Sequence, residues 1–90
     1  MLVHIGYDNF IDANKIVAVL KPGSSPVKRL RQRALETDYL IDATAGHKTR
    51  SIIVMSTNHI VLSGLTSTRI KERTLDQEVS FIKLTNELKK

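Results

Sequence analysis

Short apolar runs separated by polar turn residues fill the first two thirds of the chain and predict a series of short strands. Runs that are rich in β-branched residues and bounded by glycine, proline, asparagine or aspartate are typical of strands. Thr57 and Asn58 predict a hairpin turn between two of these runs, because asparagine tolerates a positive φ. The runs cover residues 2–5, 10–11, 16–20, 39–44, 51–55 and 59–63.

Two further segments carry helical signals. The serines before Pro26 are typical of a helix start, with a serine at the N-cap and the proline at the first helical position. Val27, Leu30, Ala34 and Leu35 then recur at the spacing of one helix face. The second helix is predicted to open at residues 66–68, and its broad apolar surface comprises Ile70, Leu75, Val79, Phe81, Ile82, Leu84 and Leu88. These elements predict an α+β fold with a small, mostly antiparallel sheet and two helices.

The length of the chain and its apolar strands together favour a homo-oligomer. Ninety residues make one domain, which buries about 60–65% of its unfolded surface and has no cysteine to form a disulfide. Runs such as residues 16–20, 52–55 and 60–62 are apolar at consecutive positions, which indicates strands that are dry on both faces. One amphipathic helix covers one face of a sheet. We therefore expect the other face, or the second helix, to pack on a neighbouring subunit.

The charge balance leaves two interpretations open, a solvated surface or a nucleic-acid interface. Lys and Arg number 14 against 9 Asp and Glu, a formal net charge of +5. Cations concentrate at Lys15, across residues 28–33, and at Lys48 and Arg50. A guanidinium grips a phosphate or a guanine edge through two donors, whereas an ammonium acts as a point charge. Aromatic residues make up only 4% of the chain, which favours contacts to duplex DNA over base stacking on RNA.

No pattern of catalytic chemistry is present, so we expect a protein that is not an enzyme. The sequence has no nucleophile elbow, zinc-protease motif, P-loop or dinucleotide fingerprint. Asp8 and Asp12 are expected to shape turns and caps, and His4 and His59 to occupy ordinary strand positions. We expect no metal, no cofactor, no small-molecule substrate and no membrane segment, and a cytoplasmic, nucleoid-associated location.

Five strings of residues, taken together, resemble the RemA-type extracellular-matrix regulators of bacteria. The strings are DANK at 12–15, SPVKR at 25–29, LIDAT at 40–44, GHKTR at 46–50 and HIVLS at 59–63. They follow one another in order from about residue 5 to about residue 73. The resemblance therefore predicts a RemA-like DNA-binding and oligomerisation domain at residues 1–73, with residues 74–90 as a C-terminal helix extension of the same domain.

The resemblance implies a regulator of transcription that binds double-stranded DNA. Family members look like ring-shaped homo-oligomers with a DNA-binding unit similar to the LytTR type, and they regulate matrix and biofilm genes. By position, the family's DNA-contacting cations fall on Lys15, His47 and Lys48, with Arg50 close by. The family typically has arginine at the first three positions, so lysine and histidine imply a more electrostatic, less selective grip. Lys28 and Arg29 are candidates for further phosphate contacts, and Pro26 and Gly46 for structural roles.

Two alternative functions remain open at this point. One is a nucleoid-architectural protein that binds DNA without promoter choice. The other is a protein-interaction scaffold that uses the helix after Ile70 and binds no nucleic acid.

Overall fold

The computed structural model describes the backbone of residues 1–88 and the side chains of residues 1–76 and Lys83. It confirms an α+β fold with two α-helices and mostly antiparallel strand pairing. A single turn of 3-10 helix spans Ala13–Lys15. The strands are β1 (Leu2–His4), β2 (Phe10–Asp12), β3 (Ile16–Leu20), β4 (Leu40–Asp42), β5 (Ser51–Met55) and β6 (Ile60–Ser63), and the helices are α1 (Ser25–Glu36) and α2 (Ser67–Leu88).

The main sheet has four strands in the order β3-β5-β6-β4, and its pairing register defines two ends. All neighbours are antiparallel except β4 and β6, which are parallel. At one end, here called the loop end, lie Leu20, Asp42, Ser51 and Ser63. At the other, here called the hairpin end, lie Ile16, Leu40, Met55 and Ile60. The predicted turn at Thr57 and Asn58 closes the hairpin end, and Asn58 has the expected positive φ of 72°.

The central strands β5 and β6 are largely buried on both faces of the sheet, to which successive strand residues point in alternation. Ile53 and Val61 pack with Ile70 of α2 and with residues of the β1–β2 hairpin, whereas Ile52 and Leu62 pack against α1. The consecutive apolar residues of β5 and β6 are thus largely covered within one chain, whereas Val17 of the edge strand β3 is 66% exposed. The expectation that the other sheet face packs on a neighbouring subunit was wrong, since the N-terminal hairpin and α2 cover that face. The alternative, that the second helix packs on a neighbouring subunit, stays a prediction.

Helix α1 begins at the predicted serine–proline signal, one residue earlier than a proline at the first helical position would give. The hydroxyl of Ser24 accepts a hydrogen bond from the N–H of Val27 (3.4 Å) and caps the helix, and proline lies in its first turn. Ala34 is 5% exposed and faces the sheet. Leu35, predicted to belong to the same apolar face, is 56% exposed, because the stripe that contacts the sheet is narrower than the sequence pattern. The helix runs from the loop end, where β3 ends, to the hairpin end, where β4 begins.

Helix α2 packs on the β1–β2 hairpin through its first turns. The Thr66 hydroxyl accepts from the N–H of Arg69 (3.2 Å), which confirms the predicted helix opening. Ile70 is fully buried, and the Arg73 guanidinium donates to the carbonyl oxygen of His4 (3.1 Å). Leu75 is 47% exposed. The other apolar positions predicted along this helix, Val79, Phe81, Ile82, Leu84 and Leu88, have side chains outside the described residues.

Candidate nucleic-acid interface

The segment between β4 and β5 is held in a defined shape at the loop end. Thr44 donates its hydroxyl and its backbone N–H to Oδ1 of Asp42, at 2.6 and 2.9 Å. Ala45 and Gly46 have φ values of 50° and 81°, and the N–H of His47 donates to the carbonyl of Thr44 (2.9 Å). Positive φ at both central residues is the pattern of a type I′ turn. The turn presents His47 and the residues after it to solvent.

The C-terminal end of the segment between β4 and β5 is held by a hydrogen bond to the sheet. The N–H of Arg50 donates to the carbonyl of Ser63 in β6 (2.8 Å). His47, Lys48 and Arg50 are exposed, and Thr49 is half-buried. Residues 47–50, here called the basic loop, are therefore held by backbone hydrogen bonds at both ends. A loop held in this way is a suitable base for cations that contact a ligand.

A second tight turn, between β1 and β2, lies against the basic loop. Tyr7 and Asp8 at its centre have φ values of 53° and 61°, and the N–H of Asn9 donates to the carbonyl of Gly6 (3.0 Å). The Asn9 side chain also donates to the carbonyl of Ala43 at 3.3 Å and so joins the turn to β4. The ring of Tyr7 stacks on the ring of His47, with centroids 4.5 Å apart and an angle of 6° between the planes.

Further cations lie at the same end of the molecule. Lys21 follows Leu20, the residue that pairs with Ile52, so it extends β3 beside the start of β5. Lys28 and Arg29 are exposed in the first half of α1, which begins at the loop end. Lys21 was missed by the sequence analysis. Its position immediately after a strand that ends beside the basic loop is the signal that could have identified it, once the strand pairing is known.

Few carboxylates offset these charges. The chain segments that meet at the loop end contribute the carboxylates of Asp8 and Asp42. The pKa of Asp42 lies below its ordinary value of 3.8, chiefly because the hydroxyl and then the N–H of Thr44 donate to the carboxylate, and secondarily because of the charge on Arg31. Among the described side chains one ion pair is present, between the Met1 ammonium and Asp12 at 3.4 Å. The cations of the loop end are thus not paired with carboxylates.

Lys15 does not share this surface within one chain. It ends the 3-10 helix before β3, and its carbonyl accepts from the N–H of Ser56 (2.7 Å), so it lies at the hairpin end. Strand β5 runs the length of the sheet from Ser51 to Met55, a distance of about 13 Å at 3.3 Å per residue. The structure therefore separates Lys15 from His47, although the family resemblance places both among the DNA-contacting cations.

The two residues with predicted structural roles lie in turns of the loop end. Gly46 has a φ of +81°, a left-handed conformation that favours glycine because it has no Cβ. Pro26 lies in the first turn of α1, where it removes no hydrogen bond from the helix.

The remaining polar residues of interest have structural partners. Asp12 accepts a hydrogen bond from the N–H of Asn14 (2.9 Å) and caps the 3-10 helix, as predicted. His59 bonds to the Thr57 hydroxyl at 2.7 Å, and His4 contacts Arg73 at 2.6 Å. Within the described residues there is no cluster of three or more histidines and carboxylates that could hold a metal ion. Neither helix, as far as it is described, is long and apolar enough to cross a bilayer.

Comparison with protein families adds to this geometry. The family model of "Extracellular matrix regulatory protein A-like" proteins, named RemA-like, matches residues 2–74. The chain belongs to the RemA-like family. The matched region contains the whole sheet, α1 and the first turns of α2. The loop end and the hairpin end described above are therefore parts of the RemA-like domain.

Curated relatives of this RemA-like chain come from several bacteria. A relative in Oleidesulfovibrio alaskensis is 42% identical over 79 residues, which cover 88% of this chain and 94% of the relative. One in Thermodesulfovibrio yellowstonii is 49% identical over 73 residues, covering 81% and 86%. One in Fervidobacterium nodosum is 39% identical over 89 residues, covering 99% and 96%. All three carry the name "Putative regulatory protein". The family and these names indicate a regulatory role rather than an enzymatic one.

Proposed function

We propose that this RemA-like protein binds double-stranded DNA at the loop end and regulates transcription of extracellular-matrix or biofilm genes. The observation that carries the proposal is the set of exposed cations at the loop end that are not paired with carboxylates: Lys21, Lys28, Arg29, Lys48 and Arg50, with His47 beside them. Cations held on rigid loops neutralise phosphates and release counterions, which is the main electrostatic source of affinity for DNA. In this proposal the loop end acts as a DNA-binding unit of the LytTR type.

Assembly into a homo-oligomeric ring is part of the proposal, because one chain offers only a few phosphate contacts. Several copies on one duplex raise the avidity by orders of magnitude without a better single site. The two edge strands of the sheet carry exposed apolar side chains, Val17 on β3 (66% exposed) and Ile41 on β4 (48% exposed). A contact that joins different edges of successive copies is heterologous, and a heterologous contact closes into a ring if its rotation allows.

A ring would also give Lys15 a role. Within one chain Lys15 is remote from the loop end, as described above. If successive copies meet edge to edge, the hairpin end of one copy and the loop end of its neighbour can face the same duplex. Bending DNA around such a ring costs on the order of several kcal/mol, so sequence-dependent flexibility would contribute to selectivity.

The test is a DNA titration of the Lys48→Ala/Arg50→Ala double variant. The wild-type protein should bind duplex DNA and lose affinity steeply between about 50 and 200 mM salt. The double variant should lose most of its affinity, and the binding that remains at low salt should have a salt slope lower by about 1 for each phosphate contact removed. Fluorescence anisotropy measures the binding, and light scattering should show an unchanged oligomer size.

A matched control removes two cations elsewhere. Arg33 lies beside Tyr39 and Asn58 towards the hairpin end, and Lys71 lies on α2. The Arg33→Ala/Lys71→Ala variant should keep most of the DNA affinity. Equal losses in the two double variants would mean that net charge matters and the loop end does not. If the wild-type protein does not bind DNA at low salt, the proposal is overturned. That result would favour the alternative of a protein-interaction scaffold that binds no nucleic acid.

A second candidate is architectural DNA binding without promoter choice. It is favoured by the residue types at Lys15, His47 and Lys48, which lack the forked donors of arginine and grip phosphates with little base selectivity. Competition with random duplex DNA separates the two functions. A regulator should keep a specific site bound in the presence of excess random duplex, whereas an architectural protein should release it.

A further inference from the structure

We infer that Tyr7 is a positioning residue that fixes the imidazole of His47 for contact with DNA. The inference rests on the proposed function and adds a residue to it. Tyr7 lies on the β1–β2 turn, which is remote in sequence from the basic loop, and its ring stacks on His47 at 4.5 Å with the planes 6° apart. No hydrogen bond of the His47 side chain is found among the described residues, so this stack is the contact that orients the ring.

The backbone of Tyr7 has a conformation that is unusual for its residue type and that the surrounding turn imposes. Its φ is 53°, and positive φ is unusual for a bulky side chain. Asp8 and Ala45, also with positive φ, lie in the two turns that the stack joins. Non-glycine residues in this conformation persist only where the surrounding structure over-determines them, and they cluster at binding and catalytic sites.

Gly64 provides the surface on which the Tyr7 ring lies. A Cβ at Gly64 would lie 2.8 Å from Cε2 of Tyr7, which is closer than non-bonded carbons approach. The backbone of Gly64 is not in the left-handed region, so an alanine there is conformationally acceptable. The missing side chain therefore leaves the space that the Tyr7 ring occupies, between the end of β6 and the basic loop.

The stack has a direct consequence for binding. An imidazole on a solvated loop must lose rotamer freedom when it contacts a phosphate or a base, and this loss weakens binding. In the free protein, the ring of Tyr7 already restrains the rotamer of His47. Tyr7 itself is 47% exposed, so its ring also limits the directions from which DNA can approach.

The experiment combines a double-mutant cycle with an NMR measurement. Tyr7→Ala removes the ring, Tyr7→Phe keeps it, and Gly64→Ala displaces it without removing it. Tyr39→Ala is the matched control: Tyr39 is 44% exposed and contacts His59 at the hairpin end, with centroids 5.0 Å apart. Duplex-DNA affinity is measured for each variant and for His47→Ala with and without Tyr7→Ala, and thermal unfolding checks that each variant is folded.

Positioning through His47 predicts a specific pattern. Tyr7→Ala and His47→Ala should each weaken binding about threefold or more, as expected from the energy of an aromatic pair, and the double variant should bind no worse than His47→Ala alone. Tyr7→Phe and Tyr39→Ala should bind as the wild type does, and Gly64→Ala should resemble Tyr7→Ala. The ring-proton shifts of His47 should change in Tyr7→Ala and persist in Tyr7→Phe.

Two results would overturn the inference. One is a Tyr7→Ala protein with unchanged DNA affinity and unchanged His47 ring shifts. The other is a pair of losses that add independently in the double variant, which would mean that Tyr7 contacts DNA without acting through His47. If the wild-type protein binds no DNA, the proposed function fails, and the NMR shifts alone decide whether Tyr7 holds His47.

Discussion

The two ends of the sheet contain similar turns and similar tyrosine–histidine pairs, but the contacts that hold the two histidines differ. Each has a tight turn with a residue of positive φ and an exposed tyrosine beside a histidine. At the hairpin end, the rings of Tyr39 and His59 are tilted by 48°, and His59 bonds to a neighbouring threonine hydroxyl. At the loop end, Tyr7 and His47 are nearly parallel. The comparison shows that the hairpin-end histidine is held by its own turn, whereas the loop-end histidine is held by a different turn of the chain.

The two ends also differ in their balance of positive and negative charges. At the hairpin end Lys15 lies near Asp12, which also pairs with the Met1 ammonium, and Glu36 and Asp38 add two carboxylates before β4 at the opposite edge of the sheet. The loop end carries cations from three segments and only two nearby carboxylates, of which Asp42 is engaged by Thr44. Cations therefore outnumber carboxylates at the loop end, whereas carboxylates offset the cations at the hairpin end.

Reversing one charge at each end should produce the largest difference between them. Lys48→Glu at the loop end should weaken duplex-DNA binding about 10- to 100-fold at low salt, because it removes a phosphate contact and adds repulsion. Arg33→Glu, towards the hairpin end, should change affinity less than about threefold. Anisotropy titrations at 50 mM salt measure both. Comparable losses in the two variants would contradict the contrast between the ends.

A smaller effect should come from the hydrogen bonds that join the loop end to the N-terminal hairpin. The buried hydroxyl of Ser63 donates to the carbonyl of Ile5 (2.7 Å) and accepts from the N–H of Leu65 (3.0 Å). Its paired neighbour Ser51 is equally buried, but its hydroxyl has no partner in the described residues. Ser63→Ala should lower the free energy of unfolding by about 1–3 kcal/mol, and Ser51→Ala by less than about 0.5 kcal/mol. Urea denaturation measures both, and equal values would show that the Ser63 bonds do not hold this end together.

The smallest effect should be a dependence of stability on pH at each end. The pKa of Asp42 is lowered mainly by hydrogen bonds from Thr44, and that of Asp12 mainly by the N–H of Asn14. A lowered carboxyl pKa stabilises the fold above the unfolded value of about 4, and this stabilisation is lost as the pH falls through the folded value. Asp42→Asn should therefore reduce stability by about 1 kcal/mol or less at pH 7, because solvent screens an exposed carboxylate, and the difference should disappear as the pH falls through the folded pKa of Asp42.

Asp12→Asn provides the comparison at the hairpin end. It should show the same pH dependence in thermal unfolding and leave DNA binding unchanged. Asp42→Asn should also weaken DNA binding, because it loosens the anchor of the basic loop. If the wild type kept its full stability advantage over Asp42→Asn in acid, the hydrogen bonds from Thr44 to the ionised carboxylate would not be the cause of the lowered pKa.

Local chemistry determined much of this protein directly. The strands, the Thr57–Asn58 turn, the Ser24 cap and the opening of α2 depend on neighbouring residues, and each was predictable from short patterns. Lys48 and Arg50 were identified as site candidates because basic residues between two strands must lie on a loop. Such features need little tertiary information, because propensity and capping act within a few residues of the chain.

Only the tertiary structure decided how the distant segments combine. The β1–β2 hairpin covers the sheet face that seemed to need a second subunit, and its turn brings Tyr7 onto His47 across forty residues of sequence. Strand pairing places Lys21 beside Arg50 and separates Lys15 from both. The physical reason is that strand periodicity specifies which side chains face inward, whereas the pairing of strands and the direction of a hairpin depend on packing between segments that no local pattern records.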